Sequence, residues 1–245
     1  MTAPETTQTL VLIKPDALKL SLTGYILSQF SETHTRLRFA GAKIVHVHRM
    51  LAEEHYAEHR GKPFFPPLID YIQGRSHYPN DPQKRRVVAL VYSGPDAVKT
   101  VRSLTGPTNP HVARETAPST IRAMGSVVPV RSADGRVIGE RLDNLVHASA
   151  TDAEAEREIK LWFKPNDIMP YMHAYPTEHS DGHYYYRNGR LSTEYEPESV
   201  CLLAPGDTAW ASDLNTLRSI IRGQAAPSAV ASVVAKYLIN EIRET

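Results

Sequence analysis

The amino-acid sequence predicts an α+β fold: a ferredoxin-like β-α-β-β-α-β antiparallel sheet packed with helices, followed by a helical and irregular C-terminal extension. Two observations support this class. Up to residue 130, strand-like and helix-like apolar runs follow the order strand, helix, strand, helices, strand, helix, strand. After residue 165 the composition changes to a stretch rich in Tyr, His, Pro and Gly. We therefore predict a domain over residues 1–165 and an extension over 166–245.

The first strand and the helix after it are indicated by their apolar spacing. Residues 10–13 form a short apolar run that stops at Pro15, because proline cannot continue a strand ladder. Residues 23–30 repeat apolar side chains at helical intervals. The remaining predicted elements are a strand at 41–47, helices at 52–59 and 68–72, a strand at 87–92, a helix at 96–104, strands at 127–130 and 136–138, and a helix at 154–163.

Turn signals separate these elements. Residues 74–86 contain Gly, Ser, Asn, Asp and two prolines, which is typical of a loop. Gly106 ends the helix before it, and the Asp134-Gly135 pair indicates a hairpin turn. The order of strands makes residues 127–130 the fourth strand of the predicted sheet.

The extension is predicted to end in two helices, at residues 213–221 and 229–242. The second helix carries an apolar stripe, and such a stripe must be covered. We therefore expect these helices to wrap the domain or a neighbouring subunit. The stripe consists of Val230, Val233, Val234, Tyr237, Leu238 and Ile242.

Composition limits the class of protein. The 245 residues are 41% hydrophobic and 22% charged, which is typical of a soluble globular protein. A formal net charge of +1 gives no general attraction to membranes or nucleic acids, so neither is predicted as a partner. The single cysteine, Cys201, excludes an intrachain disulfide and fits a reducing compartment. Because we find no signal peptide and no membrane-length apolar run, we expect a cytoplasmic protein.

Seven short motifs carry cations, a histidine and hydroxyls in one collinear order. Together they resemble the nucleoside diphosphate kinase family, from about Thr9 to about Pro165. Each motif alone is weak, but seven in order are specific. They are residues 12–16 (LIKPD), 55–56 with 62–65 (HY, KPFF), 98–102 (VKTVR), 108–110 (TNP), 119–122 (STIR), 141–149 (RLDNLVHAS) and 154–163 (EAEREIKLWF).

The resemblance implies that His147 is the histidine that becomes phosphorylated during transfer. A neutral imidazole is a competent nucleophile near pH 7, because its ordinary pKa is about 6.5. The resemblance also implies that Glu158, on the following helix, orients the ring: a carboxylate that accepts from one ring nitrogen leaves the other free to attack. A histidine taken alone, one of 11 here, is most often an ordinary side chain, so the surrounding motifs carry this assignment.

The same resemblance assigns residues to the phosphates and to the nucleoside. Lys14 is expected to meet the transferring phosphate, and Tyr56 to hydrogen-bond this lysine. Guanidinium forks suit bidentate phosphate binding, so Arg102 and Arg122 are assigned to the β- and γ-phosphates, with a hydroxyl from Thr108.

For the nucleoside, Phe64 is expected to stack on the base with Leu68 beside it, and Asn144 to bond the ribose 3′-hydroxyl. Stacking does not read base edges, so purines and pyrimidines should both fit. The cofactor implied is Mg²⁺, held mainly by the nucleotide phosphates with no dedicated protein ligands.

The chain also departs from the family pattern. Ala150 stands where an Asp usually helps to organise the water shell of magnesium, and Asp143 and Leu20 stand where Arg is usual. Segments 75–86 and 126–141 are insertions. The second could reshape the nucleotide entrance or the oligomer surface, or it could be a tolerated surface hairpin. Family members form oligomers built from dimers, so a homo-oligomer is expected, of a size that the sequence leaves open.

Two features of the extension suggest binding sites of their own. One is a possible zinc or nickel site, although its residues lack a standard helical spacing and a metal is the less favoured interpretation. It would use His173, Glu178, His179, Asp181 and His183. The other is the aromatic run 184–186 with Arg187 and Arg190, which could stack on a base or a protein, or could be a strand on the core.

Three functions are open on these observations. The first is an active kinase that exchanges phosphate between nucleoside triphosphates and diphosphates by a ping-pong mechanism. The second is a nucleotide-binding, regulatory module with slow turnover, which the missing carboxylate at Ala150 would favour. The third is a kinase for a specialised nucleotide-like substrate, which an altered entrance would favour.

Overall fold

The computed structural model describes residues 6–131 and 134–239. The strands are β1 (Thr6–Ile13), β2 (Arg38–Val45), β3 (Val87–Pro95), β4 (Ser126–Arg131), β5 (Val137–Asp143), β6 (Val146–Ala148), β7 (Thr177–His179), β8 (Tyr184–Arg187), β9 (Arg190–Ser192), β10 (Val200–Leu203) and β11 (Thr208–Trp210). The helices are α1 (Pro15–Lys19), α2 (Thr23–Gln29), α3 (Glu32–Thr35), α4 (Arg49–His55), α5 (Phe65–Ile72), α6 (Ala97–Thr105), α7 (Pro110–Thr116), α8 (Asp152–Trp162), α9 (Ala211–Ile221) and α10 (Val230–Val234).

The central sheet has the order β2-β3-β1-β6 with every neighbouring pair antiparallel, so the ferredoxin-like prediction is confirmed. Its fourth strand, however, is β6 and not residues 127–130. That run pairs with β5 in a separate hairpin, in which the Ser126–Asp143 pair forms the base. The hairpin satisfies its backbone locally, and the three residues of β6 take the free edge of β1 instead.

Both faces of the sheet are covered, which explains the unbroken apolar run in β1. Leu10 and Leu12 point into a core shared with α4 and α8. Val11 and Ile13 point to the opposite face, into a core shared with α2 and α6. Side chains alternate along a strand, so a strand buried on both faces reads as continuously apolar.

The extension packs onto this domain through large buried side chains. Trp210 is fully buried in the core of the domain, and its indole Nε1 donates to the Phe163 carbonyl at 2.8 Å. His48, on the domain, contacts the Ala235 carbonyl at 3.0 Å through Nε2. The extension thus covers the outer side of α4 and α8, with α10 lying against both.

The extension is more regular than the sequence indicated. It holds two small sheets, β10-β8-β9 and β11-β7, in a stretch where only residues 184–186 were considered as a strand. Helix α9 matches its prediction, whereas α10 ends at Val234 and continues as a 3-10 turn to Tyr237. The last predicted stripe residue, Ile242, lies outside the described residues. In the described ranges no helix is both long and apolar enough to cross a bilayer.

Candidate active site

One cleft, of about 590 Å³, is lined by every residue that the sequence assigned to the site. It lies where the end of β1, strand β6, helix α8 and the insertion hairpin β4–β5 meet. The ten residues are Lys14, Tyr56, Phe64, Leu68, Arg102, Thr108, Arg122, Asn144, His147 and Glu158.

At the centre of the cleft, His147 is held by Glu158. His147 pairs with Leu12 in the register of β6 and β1, and its Nε2 lies 2.9 Å from Glu158 Oε2. Ser149 donates its hydroxyl to the same carboxylate oxygen at 2.6 Å. Within residues 6–131 and 134–239, no hydrogen bond reaches the Nδ1 of His147; in the neutral tautomer that donates from Nε2 to Glu158, Nδ1 is the nitrogen with the free lone pair. Burial alone would raise the pKa of Glu158, but the contacts with His147 and Ser149 bring it to about 2.

Helix α8 delivers Glu158 to this position because its start is fixed. Thr151 caps the helix by accepting from the Glu154 backbone N–H at 3.2 Å, and Glu154 reaches back to the Ala150 N–H at 3.1 Å. Glu158 then lies on the buried face with Ala155. The cap therefore sets the register that brings this carboxylate to β6.

A strained turn precedes the histidine. Leu145 is buried with a φ of 68°, in the left-handed region that branched side chains avoid. The Val146 N–H donates to the Asn144 carbonyl at 2.7 Å, which closes a γ-turn around Leu145. Asp16 Oδ2 accepts from the Leu145 N–H at 2.8 Å. A residue in this conformation costs about 1–3 kcal/mol of folding free energy. The turn lies between Asn144 and His147, which both line the cleft.

Lys14 is buried beside this turn. Its Nζ donates to Asn144 Oδ1 and lies 4.6 Å from the centre of the Tyr71 ring. Burial, with a smaller contribution from the charge of Arg122, lowers the pKa of Lys14 to about 8. Tyr56 lines the same cleft, and among the described residues the structure shows no hydrogen bond between it and Lys14; the turn brings Asn144 to the ammonium.

The two arginines assigned to phosphate differ in burial. Arg122 is buried, and its Nη1 donates to the Gly106 carbonyl at 2.9 Å while Nη2 donates to the Val146 carbonyl at 3.2 Å. Burial, reinforced by the charge of Arg102, lowers its pKa to about 10. Arg102 is exposed on α6, and Thr108 is exposed nearby with its carbonyl accepting from Asn144 Nδ2 at 2.8 Å.

Gly106 allows this loop to close. Its φ is 79°, and a Cβ there would stand 2.1 Å from Thr120 Oγ1. Only glycine combines that backbone conformation with that approach, and the Gly106 carbonyl is the acceptor for Arg122.

His55 was not predicted as a site residue, although it belongs to one of the seven motifs. His55 is buried behind His147, with ring centroids 4.5 Å apart and planes at 78°. The Trp162 indole donates to His55 Nδ1 at 3.2 Å, and burial, followed by the charge of His147, lowers the pKa of His55 well below 6.5. The ligand atoms of His55, His147 and Glu158 lie within 4.8 Å of one another, close enough to hold a metal ion. Their own contacts already engage His55 Nδ1 and His147 Nε2.

Phe64 lies at the mouth of the cleft with 49% of its surface exposed. Leu68, one turn later on α5, is half-buried against the core. A large aromatic ring exposed beside a polar cleft offers a flat surface to a planar ligand.

The two insertions meet at Asp143. Arg141 donates to Asp143 Oδ1 through Nε at 2.6 Å and to Oδ2 through Nη2 at 3.0 Å. His77, in the first insertion, contacts Oδ2 at 2.9 Å. Burial opposes ionisation, but His77 and Arg141 bring the pKa of Asp143 to about 2. The hairpin also lines the cleft with Val130, Glu140, Arg141 and Leu142. The insertion at 126–141 is therefore a wall of the site rather than a remote surface hairpin.

The possible metal site in the extension is not formed. Glu178 and Asp181 both pair with Arg218, at 2.8 and 3.4 Å. His173 instead contacts the Pro165 carbonyl at 2.9 Å, and His183 stacks on Tyr185 with ring centroids 5.6 Å apart. Within the described ranges these side chains serve separate contacts. The aromatic run 184–186 forms β8, so it is a strand as the simpler interpretation held.

Comparisons with known proteins agree on one family. A sequence model described as nucleoside diphosphate kinase matches residues 7–168. A nucleoside diphosphate kinase of Pyrococcus furiosus is 42% identical over 170 residues, which make up 69% of this chain and 91% of that protein. One from Thermococcus kodakarensis is 37% identical over 195 residues, covering 80% of this chain and 95% of the relative.

Solved structures give the same result. A nucleoside diphosphate kinase from Aquifex aeolicus superposes with a TM-score of 0.53 at 31% identity, covering 67% of this chain and all (100%) of that one. A nucleoside-diphosphate kinase from Borrelia burgdorferi, solved as a transition-state mimic with bound vanadate and ADP, gives a TM-score of 0.51 at 30% identity. It covers 69% of this chain and 94% of that one.

Proposed function

Because this chain belongs to the nucleoside diphosphate kinase family, which exchanges phosphate between nucleotides, we propose that the reaction proceeds through phosphohistidine at His147. The observation that carries this assignment is the contact of His147 Nε2 with Glu158. It fixes the ring and leaves Nδ1 as the attacking atom.

The reaction is a double displacement. The Nδ1 lone pair attacks the terminal phosphorus of a bound triphosphate, the bond from that phosphorus to the bridging oxygen breaks, and a nucleoside diphosphate leaves. An incoming diphosphate then attacks the phosphohistidine through its terminal oxygen and restores the imidazole. Glu158 stabilises the positive charge that the ring gains in the first step.

Charge neutralisation comes from three cations that line the cleft around His147. Lys14 and Arg122 are buried and fixed by hydrogen bonds, so they need little reorganisation when charge develops on the phosphate oxygens. Arg102 is exposed and can close onto the phosphates as they bind. The hydroxyl of Thr108 adds a donor at the same side.

For the nucleoside, Phe64 supplies a stacking surface with Leu68 beside it, and Asn144 faces the sugar. The Asn144 amide already bridges Lys14 and the Thr108 carbonyl. A ribose hydroxyl therefore meets a prepared hydrogen-bonding group.

Magnesium enters with the nucleotide. When bound, it would be held mainly by the nucleotide phosphates and would supply positive charge that offsets theirs. Ala150 offers no carboxylate, but Glu154 lines the same cleft and is fixed to the Ala150 N–H. Glu154 would hold a water of the magnesium shell where the usual Asp is missing.

We also propose that the chain forms a homo-oligomer in a reducing compartment. Strand β2 is one of the two edge strands of the central sheet in the described chain, where Met169 bonds to it only at the Ala40 carbonyl, and Phe39 and Ile44 on it are exposed. An exposed apolar edge strand favours association with another copy, which supports a homo-oligomer. The single cysteine supports a reducing compartment such as the cytoplasm.

Labelling with γ-³²P-ATP and Mg²⁺ tests the proposed function. We expect an acid-labile, base-stable phosphoenzyme that His147→Ala abolishes and that discharges onto added nucleoside diphosphates. A chain that binds ATP without forming this phosphoenzyme would instead be the slow regulatory module. Discharge onto a single acceptor would indicate a specialised kinase.

A further inference from the structure

The insertion hairpin contributes an unusual set of side chains to the cleft. Val130 and Leu142 are apolar, Glu140 is acidic, and Arg141 is already paired with Asp143. Phosphate would be repelled by the carboxylate and would gain nothing from the apolar groups. This wall therefore suits an uncharged, flat part of the ligand rather than its phosphates.

Arg141 is held as a rigid plane within that wall. Asp143 accepts from both Nε and Nη2, which fixes the guanidinium in a fork. Asp143 is buried and is itself fixed by His77, whose ring contacts Tyr71 at 5.2 Å between centroids. Because the charge of Arg141 is balanced by Asp143, the guanidinium offers a ligand in the cleft its plane more than a free charge.

We propose that Arg141 forms the second face of the nucleobase slot, with Phe64 as the first, so that a base stacks between an aromatic ring and a guanidinium. This inference rests on the proposed function, because it assigns the base of the same nucleotide. Both residues line the one cleft, from α5's N-terminal end and from β5. Guanidinium planes stack on nucleobases as they do on aromatic rings.

The clamp makes Asp143 and His77 positioning residues for the base. The stacking energy of a base grows with its area. Purine nucleotides should therefore benefit from Arg141 more than pyrimidine nucleotides. The Asp at position 143 and the two insertions, which looked like unrelated departures from the family, then serve one purpose: they hold the plane of Arg141 over the base.

Steady-state kinetics with Arg141→Lys tests the proposal, because lysine keeps the charge and loses the plane. We expect KM for ADP and GDP to rise about tenfold, KM for CDP and UDP to rise less, and kcat to stay unchanged. The acceptor ribose 5-diphosphate has no base, so its KM should not change. Arg131→Lys, on the same hairpin but away from the cleft, is the matched control and should leave every KM unchanged.

The clamp is tested by Asp143→Asn, alone and with Arg141→Lys. We expect the single variant to raise KM for purine nucleotides, and the double variant to add nothing to Arg141→Lys, because the two residues act as one unit. Full additivity would show that Asp143 acts through something other than Arg141. His77→Gln should give a smaller rise in the same purine KM.

Two results would overturn the proposal. An equal rise in KM for ribose 5-diphosphate would assign Arg141 to the sugar or phosphates, and unchanged KM values throughout would remove it from the slot. If a variant fails to fold, a crystal of the unaltered chain with ADP decides, since the adenine must lie between Phe64 and Arg141. Phosphoenzyme formation by the unaltered chain separates these failures from failure of the proposed function.

Discussion

Buried charges occur both in the cleft and in the C-terminal extension, but they are arranged differently. In the cleft, Lys14, Arg122 and Glu158 are buried at the wall of an opening to solvent. In the extension, Lys236 donates to Asp213 at 2.9 Å, and both side chains are enclosed. Burial lowers the pKa of Lys14 and of Lys236 alike. A buried charge that faces a cleft can act on a ligand, whereas a charge closed in a pair can only hold the structure.

The comparison predicts two separable classes of variant. Changes in the extension should lower the free energy of unfolding and leave turnover by the folded protein intact. Changes around His147 should lower turnover of the folded protein itself.

Trp210→Ala should give the largest loss of stability. The indole is fully buried and bonded to the Phe163 carbonyl, so truncation leaves a cavity and an unpaired acceptor. We expect the free energy of unfolding in urea to fall by about 3–5 kcal/mol. Turnover per folded molecule should stay within twofold. A large loss of turnover at full folding would give the extension a role in the site.

Lys236→Met should destabilise the extension by about 3 kcal/mol, because Asp213 is then left as an uncompensated buried charge. Adding Asp213→Leu should recover most of that loss, since two apolar side chains can replace a buried pair. Urea unfolding of both singles and the double variant measures this. A double variant no more stable than Lys236→Met alone would contradict a closed, purely structural pair.

Glu158→Gln should lower turnover by about 100-fold, or ~2.7 kcal/mol. Because contacts with His147 and Ser149 hold the pKa of Glu158 at about 2, its loss should also lower the unfolding free energy, so turnover is measured per folded molecule. The amide can still contact His147 Nε2, but it cannot stabilise the charged ring or fix its tautomer. Glu156→Gln is the matched control: Glu156 lies on the same helix and, among the described residues, pairs only with Lys160, at 2.5 Å. Equal turnover in the two variants would contradict the role of Glu158 in orienting His147.

His55 should give a smaller, pH-dependent effect. Its folded pKa lies well below 6.5, so in acid the unfolded chain binds a proton that the native chain excludes. Stability is therefore retained above pH 6.5 and falls as the pH drops below it, by up to about 1.4 kcal/mol per pH unit. In His55→Gln this contribution is removed, so the pH slope between 6.5 and 5 should be shallower. An unchanged slope would mean that other groups produce it.

The sequence predicted the residues of the cleft better than the short strands. Collinear motifs predicted the set of residues that line the cleft, because identities at fixed spacing carry that information. Strand β6 was missed as a sheet strand, since three residues around a histidine have no period to detect. Strand β8 was considered only as one alternative, and β7, β9, β10 and β11 were missed, because each is only three or four residues long and depends on its partner.

Contacts were harder to predict than positions. The bond from Lys14 to Asn144 was not predicted, because it depends on the γ-turn at Leu145, which sets where Asn144 points. Likewise, the clamp at Asp143 joins two insertions that are far apart in sequence, and no local pattern links them.

The most direct test of the account is to locate phosphorus on the isolated phosphoenzyme, by ³¹P NMR with proton correlation to the imidazole or by crystallography. The contact between His147 Nε2 and Glu158 predicts phosphorus on Nδ1 of His147, with the Glu158 contact still in place. Phosphorus on Nε2, or on His55, would contradict it.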